Sequence, residues 1–193
     1  MSTLTKFFLV SFAGLLLILL MNNCSSSENM NSCITAEVEE YYLPYPIGVT
    51  YLCGQSHCDS FTHKDDLKYS VDFGMPIGSV ITAARSGEVV NFREDIIDGD
   101  MSFANFIVIN HDDGTLGRYL HLTTNGVLKN LGDYVEVGDT IALSGNTGFS
   151  TEPHLHFDVT DYCPANGPCF TIPFSFINSD DPVPQKGSWY TAH

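Results

Sequence analysis

The stretch "STEPHLHFDV", Ser150–Val159, reads as a β-strand with two unlike faces. Successive side chains of a strand point to opposite sides and rise about 3.3 Å per residue, so His154 and His156 stand side by side, about 6–7 Å apart, with Asp158 next in the row. Leu155, Phe157 and Val159 take the other face, which suits a core. An amphipathic strand whose polar face merely happens to hold two histidines explains the same pattern, so the meaning of the pair depends on the rest of the chain.

Outward from that strand, the chain from about Val38 to His193 consists of short runs dense in Val, Ile, Phe and Tyr, punctuated by Gly and Asn-Gly turns. "SVITAARSGEVVNF" (Ser79–Phe92), "FANFIVINHDDGTLGRYLHL" (Phe103–Leu122) and "DYVEVGDTIALSG" (Asp133–Gly145) each read as a strand or hairpin. "HDDGT" at His111–Thr115 is a tight hairpin signal, and "GDYVEVGDTI" from Gly132 reads as a hammerhead-like double reversal through glycine corners. No long segment keeps helical periodicity. The pattern predicts an all-β sandwich or open barrel with few or no helices outside the N-terminal signal. In "RYLHL", alternation sends Leu120 and Leu122 inward and Tyr119 and His121 to the opposite face. The Pro-rich tail from Asp180, "DDPVPQKGSWYTAH", is expected to wrap the surface irregularly.

The 193 residues suit one domain, residues 38–193, behind an N-terminal extension. In the extension, Lys6 precedes fifteen uncharged and mostly apolar residues, Phe7–Met21, the pattern of an export signal over residues 1–23. As a helix that run covers about 22 Å, short of the roughly 30 Å hydrocarbon core, which favours a cleaved signal over a permanent anchor. Cys24 and the polar segment after it, to residue 37, resemble a lipoprotein signal and its flexible tether, with Asn22 and Asn23 standing where a small residue is usual. The expected location is therefore the periplasm or cell envelope, lipid-anchored through Cys24, with simple secretion as the alternative. Membrane contact is expected only through that lipid or an uncleaved signal.

Loss of residues 1–23 leaves 7 basic against 23 acidic residues, a surface that repels phosphates and argues against nucleic acid partners. Six cysteines in an exported chain point to disulfides, with Cys53/Cys58 and Cys163/Cys169 near enough to close local loops and Cys33 the odd one out if Cys24 carries lipid. A zinc knuckle of Cys53, His57 and Cys58 is the competing reading.

Four histidines fall in contexts that make chemical sense together: His63, with Asp72, in "HKDDLKYSVDFGMP", His121 in "RYLHL", and the His154/His156 pair. One Asp and two His form a common hydrolytic zinc set, three borderline donors with a fourth position left for water. Further histidines beside the metal can serve as general base and as donors to a developing oxyanion. His111 reads as a strand-end surface residue and His193 as a terminus. Tyr119 suits either packing or a hydrogen bond near the site, and Asn105 either a turn cap or the cleft wall.

"YSVDFGMPIGSVITAARSGEVV", "NFIVINHDDGTLGRYLHL" and "GDYVEVGDTIALSGNTGFSTEPHLHFDV" together resemble the lysostaphin/LytM-type zinc metalloendopeptidases, from roughly His63 to Val159. The resemblance implies a duplicated hybrid motif fold, one Zn2+ per chain, and cleavage of peptide bonds in bacterial peptidoglycan, in the stem peptide or cross-bridge, by metal-activated water. It implies that Asp72 and His156 bind the metal and that His121 and His154 are the catalytic histidines. Family members usually carry His-x-x-x-Asp, but Lys68 stands four residues before Asp72. The third metal ligand is then expected to be His63, nine residues upstream of Asp72, with His57 in reserve. Two rival functions are a non-catalytic relative that binds peptidoglycan or regulates another cell-wall hydrolase, which Lys68 favours, and a lipoyl- or biotinyl-carrier domain, which lacks a lysine in the relevant turns.

Overall fold

The computed structural model describes residues 38–161, 163 and 169–193; the expected signal and tether, with Cys24 and Cys33, lie outside these residues. The strands run in order β1 (Glu39–Tyr41), β2 (Thr50–Gln55), β3 (Ser70–Gly74), β4 (Val80–Thr82), β5 (Gly87–Arg93), β6 (Phe106–Asn110), β7 (Leu116–Leu120), β8 (Leu122–Val127), β9 (Tyr134–Val135), β10 (Thr140–Ser144), β11 (His154–Thr160), β12 (Phe174–Phe176) and β13 (Trp189–Thr191). A 3-10 turn at Asp65–Leu67 is the helical element among the described residues, in keeping with the all-β expectation. None of the described helices is long and apolar enough to cross a membrane.

Eight strands form one sheet in the order β13-β2-β3-β11-β7-β6-β5-β9. A second sheet, β4-β10-β8, has three strands, and β1 pairs with β12 in parallel. The large sheet is antiparallel throughout, and hairpins such as β6–β7 across "HDDGT" build it as the turn signal predicts: Gly114 takes φ 86° and donates to the His111 carbonyl. The core sits on one face of this sheet, where Val71 and Phe73 of β3, Ile107 and Ile109 of β6, and Leu155, Phe157 and Val159 of β11 are fully buried. Tyr41, Phe174 and Phe176 close it with edge-on ring contacts to Phe157 and one another. β11 thus keeps the two-faced character of its sequence, with His154, His156 and Asp158 on the face away from these rings.

Four sequence expectations are corrected. Tyr119, not Leu120, faces the core: its ring packs against Phe157 at 5.0 Å and its hydroxyl oxygen accepts from the Ala84 N–H. The alternation fails because His121, between β7 and β8, takes the left-handed backbone (φ 65°), which shifts the face of every residue on one side of it relative to the other. His111 is buried rather than at the surface; its Nδ1–H donates to the Ser86 carbonyl and its ring lies edge-on to Tyr41. The tail is not wholly irregular, since β13 pairs with edge strand β2, and Tyr190 is buried with its hydroxyl on Asp181. Cys163 and Cys169 are bridged, but Cys53 and Cys58 are not: β2 turns the Cys53 thiol into the core, where it donates to the Gln55 carbonyl. Asn105 is a buried tie between loops, bonding both polar backbone groups of Ile96 and the carbonyls of Leu122 and Thr123.

Candidate metal centre

The register of three neighbouring strands assembles the site. His156 of β11 lies opposite Asp72 of β3 on one side and Leu120 of β7 on the other. Side chains directly opposite on one face have Cβ atoms about 5 Å apart, so this pairing alone brings imidazole and carboxylate together. His156 Nδ1 is 2.9 Å from Asp72 Oδ1.

His63 reaches the same carboxylate from the loop between β2 and β3. That loop doubles back on itself: the Cys58 N–H donates to the Lys68 carbonyl, Cys58 takes φ 60°, and the 3-10 turn shortens the return to β3. His63 is fully buried, and its Nε2 lies 3.1 Å from Asp72 Oδ1 with no hydrogen-bond alignment to any described group. One ligand atom each from His63, Asp72 and His156 falls within 4.8 Å of the others, the group among the described residues that could hold a metal ion. Lys68, at the position where the resemblance puts a histidine, instead sets its Nζ 4.9 Å above the Tyr69 ring. His57 is not brought to the site; its buried ring packs against Tyr69 and Phe174. No cluster of Cys53, His57 and Cys58 forms a metal group among the described residues.

His121 and His154 stand beside this group, with ring centres 4.5 Å apart, and His121 lies 5.9 Å from the His156 ring. The left-handed turn at His121 puts it and Leu120 together on the wall of a cleft of roughly 240 Å³ that Asp72, His154 and His156 also line. Exposed Phe61 and Phe149 stand at its rim.

Each of the four histidines spends one nitrogen on an acceptor outside the group. His63 Nδ1 meets the Ser56 carbonyl at 3.0 Å, His121 Nδ1 the Thr147 carbonyl at 2.6 Å, His154 Nδ1 the Glu152 carbonyl at 2.8 Å, and His156 Nε2 the Asp158 carboxylate at 3.0 Å. A carbonyl or carboxylate accepts only a proton, so each contact leaves the other ring nitrogen's lone pair for the site in the neutral ring. The second oxygen of Asp72 is likewise occupied, by Gln55 Nε2 at 2.7 Å. Sequence reasoning passed over Gln55, Arg118 and the role of Asp158; Gln55 enters through a β-bulge between Cys53 and Gln55 that composition does not show. Arg118 could have been found by counting forward from the "HDDGT" hairpin.

Charge at the site suits a cation. Burial alone would raise the Asp72 carboxyl, but the hydrogen bond from His156 and the close approach of the His63 imidazole hold it well below the usual carboxylate range. Burial would lower His156, yet the carboxylates of Asp158 and Asp72 raise it to about 9. Two buried carboxylates therefore hold positive charge at this point, and a misaligned buried nitrogen on His63 faces the same oxygen, so the donor set fits a divalent metal. Burial, helped by its neighbours His154 and His156, lowers His121 to about 3, leaving that ring neutral at pH 7.

Known proteins resemble this chain over part of its length. The chain is 38% identical over 117 residues to lysostaphin of Staphylococcus simulans, a stretch covering 60% of this chain and 20% of the relative. It is 41% identical over 88 residues to the peptidoglycan DD-endopeptidase ShyA of Vibrio cholerae, covering 46% of this chain and 19% of ShyA. The chain thus spans about a fifth of the length of these two relatives. Among solved structures, the M23 metalloprotease pseudoalterin from the deep sea superposes with a TM-score of 0.53 at 20% identity, over 81% of this chain and 96% of its own, which shows a common fold. The profile of peptidase family M23 matches residues 66–168, beginning just after His63 and running through β3, His121 and β11. That match takes in more than half of the residues, and the chain therefore belongs to peptidase family M23.

Proposed function

We propose that this chain is a zinc-dependent metalloendopeptidase that cuts peptide bonds in bacterial peptidoglycan, in the stem peptide or the cross-bridge. The observation that carries the reading is the convergence of His63, Asp72 and His156 beside His121 and His154, every ring tied outward by one nitrogen and facing the site with the other. Its relatives, lysostaphin and a peptidoglycan DD-endopeptidase, support the substrate class. His63, Asp72 and His156 would hold one zinc ion, with His63 in place of the usual His-x-x-x-Asp histidine. Zinc bound there supplies a Lewis acid for the scissile carbonyl and brings the pKa of water toward about 7.

His121 and His154 do the proton work. Each presents Nε2 to the cleft with Nδ1–H fixed on a carbonyl, so each can take a proton from the attacking water, pass it to the leaving amine, or donate to the oxyanion as it forms. We further propose that the chain acts in the cell envelope, exported by residues 1–23 and held by lipid on Cys24, with secretion as the alternative.

Elemental analysis of zinc per chain tests the reading, beside His63→Ala and His156→Ala and followed by release of soluble peptides from purified cell walls. About one zinc in the parent, little in both variants, and release by the parent alone are expected. A folded parent that takes no zinc when zinc is supplied overturns the hydrolase. Zinc without release points to the second reading, a non-catalytic relative that binds the wall, for which Lys68 is the observation.

A further inference from the structure

Asp158 plays no part in the steps above, yet it is the most enclosed charge beside the site. Its side chain is wholly buried, one position beyond His156 on the same face of β11. Across the sheet it lies opposite Arg118 of β7, whose Nε and Nη2 donate to Oδ1 and Oδ2 at 2.6 and 2.7 Å. The oxygen that receives Nη2 also receives His156 Nε2, at 3.0 Å. One carboxylate is thus pinned in plane by a two-pronged guanidinium and points a fixed lone pair at the back of an imidazole.

We propose that Asp158, held by Arg118, is a positioning residue for His156: it keeps the proton on Nε2 and the ring turned so that Nδ1 meets Asp72 and His63. The inference rests on the zinc reading of the site. An imidazole can ligate through either nitrogen, and a half-turn about its Cβ–Cγ bond would put Cδ2–H where Nδ1 stands and carry Nε2 to the place of Cε1; the outer acceptor, which needs Nε2–H, decides which nitrogen is presented. Among the described residues, Asp158 is the acceptor that His156 Nε2 meets. The alternative is an ion pair that merely joins β7 to β11. A buried ion pair is weak grounds for stability, because well-packed apolar residues commonly serve as well, whereas breaking one partner is costly. That difference separates the two roles.

The experiment measures zinc affinity of the full chain by competition with a chromogenic chelator, and the visible absorption of the Co2+-loaded protein. It compares the parent, Asp158→Asn, and the double variant Arg118→Met/Asp158→Leu, which removes both charges and keeps apolar bulk. Positioning predicts that zinc dissociates 10- to 100-fold more readily from both variants, with an altered Co2+ spectrum, even where the metal-free double variant melts like the parent. A folded double variant that binds zinc as tightly as the parent, with the parent's Co2+ spectrum, overturns the positioning role and leaves the zinc reading intact. A parent that binds neither metal overturns the zinc reading itself, and this inference falls with it.

Discussion

Among single residues, the four site histidines differ in what holds them, and the difference predicts how each fails. His121 is tied to a backbone carbonyl, His154 to a backbone carbonyl and the Ser150 hydroxyl, and neither supplies a ligand atom to the His63–Asp72–His156 group. His121→Ala or His154→Ala is therefore expected to keep its zinc and lose wall cleavage by about 10²- to 10⁴-fold, the usual contribution of a proton-transfer group; zinc content and peptide release measured on one sample check this. His57 belongs to a different class. Both of its nitrogens are buried without a hydrogen-bond partner among the described residues, and burial, then the charge of His63, lowers it to about 3. Between about pH 6.5 and pH 3 the unfolded chain binds a proton there that the folded chain refuses, so His57 costs stability as the pH falls through that window. His57→Phe, which keeps an aromatic ring against Tyr69 and Phe174, should flatten the acid-side loss by up to about 1.4 kcal/mol per pH unit, read from urea unfolding at pH 4 to 7. The pairing of His154 with His156 was legible from residue types and spacing, whereas the place of Asp72 came from the family resemblance. His111 and His57 were not, because a lone histidine's burial depends on contacts from distant segments.

Strands and turns explain where that legibility stops. Period-two alternation correctly sorted β11 into a core face and a site face, since nothing interrupts it between His154 and Thr160. It failed across β7 and β8, where the left-handed His121 resets the alternation, a conformation that a non-glycine residue's neighbours do not announce. Gly148 is the turn on which the cleft wall depends. Its φ is 76°, and an added Cβ would fall 2.8 Å from the backbone N and Cα of Ala104. Its neighbour Thr147 carries the carbonyl that orients His121 and a hydroxyl that donates to the Leu122 carbonyl. Gly148→Ala should cost about 2–4 kcal/mol of stability, from the backbone strain and the overpacking together, and should lower cleavage without lowering zinc content. Denaturant titration and zinc analysis together check it. The tail and β13 were misread for a related reason: Pro-rich sequence marks the turn, and only the exposed edge of β2 gives "WYT" something to pair with.

Over the whole molecule, charge is the property most plainly read from composition. A net charge of −15 on 193 residues repels itself as well as phosphates. Raising salt from about 10 to 150 mM shortens the screening length from about 30 to 8 Å, and the melting temperature should rise by a few degrees; a flat or falling midpoint would contradict self-repulsion as a net cost. The fold class too was legible at this scale, because strand-length apolar runs and glycine corners recur along the chain. The third member of the metal group was harder to place, since His63 enters from a loop whose return path depends on a bond from Cys58 to Lys68. That path has a mechanical corollary. A metal shared by His63 and the Asp72–His156 strand pair would be a reversible staple, fastening an otherwise coil-like segment to a rigid sheet, and the segment carries trypsin sites at Lys64 and Lys68. Stripping the metal with a chelator should open those two bonds to trypsin while the sheet stays intact, and restoring zinc should close them, so that nicking reports occupancy of the centre without any substrate.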